Sequence, residues 1–113
     1  MHELGIVRSA VNTVDAFCRE NGIDLVDTIV LQIGELSGVV PEYVEQLFPA
    51  VTHGTPYETT KLKIEVEEGS ALCRSCKRVF NVLRTEGVCP HCGKKDGEVI
   101  SGRGFLIKEI LVP

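Results

Sequence analysis

Four cysteines carry the plainest chemistry in this chain. Cys73-Arg74-Ser75-Cys76 and Cys89-Pro90-His91-Cys92-Gly93 are two CxxC pairs on either side of a twelve-residue spacer. A CxxC turn points two thiolates to one side of a tight loop, so two such turns facing each other supply the four soft ligands of a tetrahedral Zn²⁺. Four thiolates leave no position for a reactive water, so the expected centre is structural rather than catalytic. An FeS₄ centre of rubredoxin type would use the same geometry, and colour separates the two metals. Disulfides are disfavoured: no secretory signal or membrane-length apolar run precedes the pairs, which predicts a cytoplasmic protein with reduced thiols and no membrane partner.

The second unusual stretch is Met1-His2-Glu3-Leu4. A free α-amine, the deprotonated His2 amide nitrogen and His2 Nδ1 close a five-membered and then a six-membered chelate ring around one ion. A fourth donor comes from the Glu3 backbone, the Glu3 carboxylate or outside. Planar nitrogen donors of this kind suit Ni²⁺ or Cu²⁺ and not Mg²⁺ or Ca²⁺. Residue 2 is bulky, so Met1 is expected to stay and fix the register of these donors.

Catalysis has no visible basis. The sequence shows no Ser/His/Asp or Cys/His pairing, no phosphate-cradling loop and no open metal site, so the expectation is a protein that is not an enzyme.

These sites need elements to position them, and 113 residues with 43% hydrophobic content suit one ordinary globular domain with a small appendage. Leu4, Val7, Val11, Val14 and Cys18 recur at steps of three and four, with Ala10 and Phe17 widening the stripe. The pattern predicts an amphipathic helix over 3–21, ended by Gly22, with Cys18 as a packed thiol. Ile29, Leu31 and Ile33 predict a strand within 26–36. Pro41 opens a second helix bearing Val44, Leu47, Phe48 and Val51, which Pro49 should kink or stop. His53, before Gly54, is read as capping or solvated, without a metal role. Residues 61–67 alternate, with Leu62, Ile64 and Val66 inward, as a strand with one wet face does. Both phases of 105–112 are largely apolar, which predicts a well-covered strand returning to the first sheet.

The resulting expectation is an α+β fold: a small three-stranded sheet with two helices packed on one face, plus an inserted zinc-ribbon-like knuckle module built on four cysteines. Residues 1–69 together with 98–113 would form the α/β domain bearing the N-terminal nitrogens, and 70–97 the zinc-binding domain.

Net charge is −4, but it is unevenly spread: residues 1–69 carry 4 basic and 12 acidic side chains, residues 70–95 carry 6 and 1. A locally basic knuckle offsets the formal −2 of a zinc–tetrathiolate centre, or offers a docking face to an acidic partner. The rival to a metal carrier is a zinc-ribbon interaction module that binds nucleic acid or a protein scaffold. Against nucleic acid, the knuckle region has only Phe80 for stacking, and the acidic remainder repels phosphate.

Met1-His2-Glu3-Leu4, the amphipathic first helix, Ile33-Gly34-Glu35-Leu36 after the first strand, and Cys73-x-x-Cys76 with Cys89-Pro90-x-Cys92 together resemble the HypA/HybF family of hydrogenase nickel-maturation proteins over essentially the whole length. The resemblance implies a nickel metallochaperone that binds Ni²⁺ through His2, with Glu3 and the Met1 amine close by, and holds structural Zn²⁺ on Cys73, Cys76, Cys89 and Cys92. It also implies two partners, the hydrogenase-maturation GTPase and the large subunit of [NiFe]-hydrogenase. Some members carry CxxCH knuckles, whereas Lys77 follows Cys76 and Gly93 follows Cys92 here.

Overall fold

The computed structural model describes residues 2–113, with side chains from Glu3 onward. Helix α1 runs His2–Asn21 and stops where Gly22 turns to φ 64°, letting the Ile23 N–H reach the Cys18 carbonyl at 2.9 Å. That bond satisfies a carbonyl the helix end would leave open. Strand β1 (Thr28–Gly34), helix α2 (Pro41–Thr52) and strand β2 (Lys61–Glu67) follow, then β3 (Ser70–Cys73), β4 (Val79–Asn81), β5 (Gly97–Ser101) and β6 (Phe105–Leu111). No helix among the described residues is long and apolar enough to cross a membrane.

Two three-stranded sheets result, ordered β2-β1-β6 and β4-β3-β5. In the first, β1 pairs parallel with β2 and antiparallel with β6, so the last strand returns beside the first and the second sheet is inserted between β2 and β6. One face of β1 buries Ile29, Leu31 and Ile33 against Val7, Val11, Val14 and Cys18 of α1 and Val44 and Phe48 of α2. Burying each such side chain contributes roughly 1.5–3 kcal/mol, which makes this cluster the main stabilising feature of the sheet domain. On the other face Val30 is buried too, where Lys108 of β6 ion-pairs with Glu65 of β2 across the central strand.

Four expectations are corrected. Of the two outcomes expected at Pro49, the stop does not occur: α2 passes through it and ends at Thr52. Pro49 cannot donate its own hydrogen bond, but the following turn is completed by the Thr52 hydroxyl on Phe48 O at 2.9 Å and the His53 N–H on Pro49 O at 3.0 Å. Phe17 is half exposed, beside a cleft of about 370 Å³ between α1 and β6, instead of widening the buried stripe. Val66 is 56% exposed because it lies at the end of an edge strand, with β1 as its only strand neighbour. β6 is an edge strand with Leu106 and Leu111 open to solvent. Its two apolar phases have a geometric cause. The register slips at Lys108, so Phe105, Ile107 and Ile110 all pair with the buried face of β1 although a strict period of two would separate them.

The second sheet was not foreseen as a sheet. β3 carries Cys73 at its end and is flanked by β4 and β5, so residues 98–101, assigned from the sequence to the first domain, hydrogen-bond in the second sheet.

Glycine contacts and two carboxylates, Glu35 and Glu67, join the two sheets. The Leu36 N–H donates to Gly102 O at 2.7 Å, and the Gly102 N–H donates to Glu67 Oε1 at 2.9 Å. Glu35 Oε1 accepts from the Gly69 N–H at 2.8 Å and from Asn81 Nδ2 at 3.2 Å. Those donors hold the Glu35 carboxyl below the usual range. The charged acceptor is therefore intact at neutral pH and is lost only as pH falls through that lowered value.

A Cβ on Gly34 would overlap the Gly102 carbonyl. Gly34→Ala is therefore expected to destabilise by about 2–4 kcal/mol, seen as a fall in Tm of roughly 10–20 °C. Gly5→Ala, in a helix with nothing within 4 Å of the added carbon, should leave Tm unchanged or raise it. Equal effects of the two substitutions would show that the junction is not tightly packed.

Candidate metal centres

The two CxxC turns fold to the same pattern. In the first, the Lys77 N–H donates to Cys73 O at 2.8 Å and the Cys73 N–H to Arg78 O at 2.9 Å. In the second, the Gly93 N–H donates to Cys89 O at 2.8 Å and the Cys89 N–H to Lys94 O at 3.0 Å. Lys77 and Gly93, one residue beyond each pair, sit at φ 66° and 77°. The second knuckle meets this left-handed requirement with glycine. The first imposes it on a lysine, at a cost of roughly 1–2 kcal/mol.

Facing each other, the turns bring the sulfurs of Cys73, Cys76, Cys89 and Cys92 within 4.8 Å of one another, the one group of metal-ligating side chains among the described residues. Cys73 Sγ lies 3.5 Å from Cys92 Sγ and Cys76 Sγ 3.6 Å from Cys89 Sγ. A tetrahedron with metal–sulfur bonds of about 2.3 Å has edges of roughly 3.8 Å, so a cluster with sulfurs 3.5 and 3.6 Å apart and none beyond 4.8 Å is of the size that holds one ion. All are free thiols.

Their protonation shows what a cation would change. The Cys76 N–H draws the Cys73 thiol down to about 7. At Cys92 the Lys94 N–H pulls downward, but partial desolvation of the sulfur and the neighbouring Cys73 and Cys89 sulfurs outweigh it and push the thiol up to about 11. Four sulfurs this close cannot all ionise without a positive charge between them, so a divalent ion binds with release of protons.

The supporting shell comes from β3 and β5. Cys73 and Cys89 are fully buried with Ala71 and Phe80, whereas Cys92 is exposed. Arg74 pairs with Asp96 at 3.3 Å, Ser75 Oγ donates to Asp96 at 3.1 Å, and the Arg74 N–H donates to Asp96 O at 2.9 Å, which fixes the first knuckle to the start of β5. Asp96 was missed in the sequence reading. Its only signal there was an acidic residue just past the second knuckle. His91 is exposed and contacts Arg78 at 3.3 Å, outside the sulfur cluster.

At the N-terminus, Met1 and the His2 side chain lie outside the described residues, so only Glu3 of that expected trio is placed. Its Oε2 accepts from the Val40 N–H at 3.4 Å. Val40 is the N-cap of α2, has no side-chain cap, and precedes a proline that offers no N–H. Glu3 thus ties the first turn of α1 to the start of α2 and places its carboxylate at the positive end of that helix. Glu3, Tyr43, Gln46 and Leu47 line an adjoining cleft of about 280 Å³.

Residues 1–112 match the family model described as hydrogenase/urease nickel incorporation, metallochaperone, hypA. The hydrogenase maturation factor HypA of Aquifex aeolicus is 33% identical over 110 residues, covering 97% of this chain and 96% of the relative. That of Geobacter sulfurreducens is 39% identical over 112 residues, covering 99% of each. The solution structure of the Ni metallochaperone HypA from Helicobacter pylori aligns with a TM-score of 0.65 at 21% identity, covering 96% of this chain and 95% of that one, a likeness of fold.

Proposed function

We propose, from the premise that this chain belongs to the HypA family of nickel-incorporation metallochaperones, that it carries Ni²⁺ on its N-terminal residues and delivers it during maturation of [NiFe]-hydrogenase. Met1 supplies the terminal amine, His2 its amide nitrogen and imidazole, and Glu3 the fourth donor through its backbone or its carboxylate. The observation that carries this reading is the family match over residues 1–112, which takes in the Met1-His2-Glu3 stretch whose nitrogen donors suit square-planar nickel. The anchoring of Glu3 to α2 supports it, because it gives the first turn of α1 a fixed point next to the donors.

Zn²⁺ on Cys73, Cys76, Cys89 and Cys92 is the structural metal, and its closed coordination gives it no catalytic role. The functional units are the sheet domain, residues 1–69 with the returning strand β6, and the four-cysteine unit, which runs from residue 70 to the end of β5. The partners are the maturation GTPase and the hydrogenase large subunit, both carried over from the family, and the chain acts in the cytoplasm without catalysis of its own.

Calorimetric titration of untagged protein with Ni²⁺ tests the assignment, alongside metal analysis as purified. One Ni²⁺ should bind in the micromolar range, about −8 kcal/mol, as a carrier that must release its cargo requires. One or more extra residues before Met1 convert the amine to an amide and should weaken binding by at least tenfold with zinc content unchanged. Equal affinity with and without the extension would sink the N-terminal site.

A further inference from the structure

We propose that the distal face of the four-cysteine unit is a docking surface for an acidic segment of a partner protein. Because the two knuckles share one hydrogen-bond pattern, Arg78 and Lys94 occupy equivalent positions, each giving its carbonyl to the first cysteine of its own pair. Lys77 and Lys95 stand beside them, and all four side chains are exposed. Among the described residues none of the four enters an ion pair. The other two cations of residues 70–95 are both committed, Arg74 to Asp96 and Glu98, and Arg84 to Glu68. The unpaired charges are therefore gathered around the metal centre. Arg78 is further steadied by His91 of the opposite knuckle.

Charge balance at the thiolates does not account for this cluster. A divalent ion on four thiolates carries a formal −2, and four cations exceed it. The surplus sits on a chain whose residues 1–69 hold 12 acidic and 4 basic side chains, so solubility does not require it either. A cationic patch of this kind steers an anionic partner and fixes its register.

Carboxylates fit better than phosphates. Phe80, the one aromatic of residues 70–95, is 5% exposed and packed behind Cys73 and Cys89, so no base can stack on it. A long polyanion would also meet the acidic sheet domain, whereas a short acidic segment need touch only the tip. The surface goes beyond metal carriage and exists whether or not the N-terminus holds nickel.

The test is an NMR titration of the full chain, zinc-loaded as purified, at low salt. The probes are a short peptide of alternating Glu and Ser, the same peptide with Gln for Glu, and a single-stranded oligonucleotide of equal charge. The Glu peptide should shift the amides of 76–79 and 91–96, the Gln peptide should not, and salt should weaken binding. Charge reversal at all four positions (Lys77→Glu, Arg78→Glu, Lys94→Glu and Lys95→Glu) should raise Kd at least tenfold. Lys94→Gln with Lys95→Gln should raise it severalfold, and carries the comparison if the reversal variant loses zinc, because Lys94 holds the knuckle through its backbone. Shifts confined to other residues, equal binding of the Gln peptide, or unchanged Kd in a zinc-retaining variant overturn the proposal. Tighter binding of the oligonucleotide overturns it in favour of a nucleic-acid surface.

Discussion

Cys73→Ser or Cys92→Ser is expected to unfold the second sheet while leaving the first intact. The buried cluster behind the thiols is Ala71, Cys73, Phe80 and Cys89, with Cys76 and Val82 partly buried against it. That is too little apolar surface to order three strands of four, three and five residues. A metal ion bound by the four thiolates would supply the difference. Structural zinc sites contribute about 10–16 kcal/mol, so losing one ligand of four costs on the order of 3–4 kcal/mol, a drop in zinc affinity of several hundredfold. Amide exchange should then accelerate across β3, β4 and β5, while β1, whose partners are β2 and β6, keeps its protection. Acid should act in the same direction as the substitution. With Cys92 pushed up to about 11 in the absence of metal, each bound ion displaces thiol protons, so zinc retention falls as pH falls. Unchanged exchange in the metal-free unit, or stoichiometric iron in place of zinc, would overturn this account.

The parts legible in the sequence were those specified by local pattern. Gly22 as the end of α1, the strand over residues 61–67, and each CxxC turn taken singly depend on residues within a few positions of one another. What escaped was non-local. The pairing of β3 with β5 joins residues from Cys73 and Gly97 to Ser70 and Ser101, more than twenty positions apart, and neither strand alternates strongly enough to announce itself. The slip at Lys108 hides in a run that is apolar on both phases, because nothing in such a run says which face a residue will take. The basic tip illustrates the same limit from the other side. Its charge could be counted from the sequence, but which cations were already paired could not. At the N-terminus the sequence shows residue types able to donate to nickel, and it is membership of the family that ties them to nickel incorporation.

Nickel binding should be lost in His2→Ala and should depend steeply on pH in the wild-type protein. Each proposed donor gives up a proton before or as it binds. The imidazole does so near pH 6.5, the α-amine near 7.7 to 8.0, and the backbone amide only to the metal itself. The sign follows directly: protons compete with nickel, so affinity is greatest above both values and falls as pH drops through them. Below about pH 6.5 the loss should steepen to roughly two to three decades per pH unit, because amine, imidazole and amide protons all compete. Glu3→Gln separates the two offices of that residue. If only its backbone ligates, affinity should change little, since a glutamine oxygen still accepts from the Val40 N–H. If the carboxylate ligates, affinity should fall about tenfold or more. Zinc should be untouched in every variant, because the two sites share no donor. Wild-type nickel affinity and pH profile in His2→Ala would place the ion elsewhere, on the thiolates of the four-cysteine unit, and the N-terminal assignment would fail.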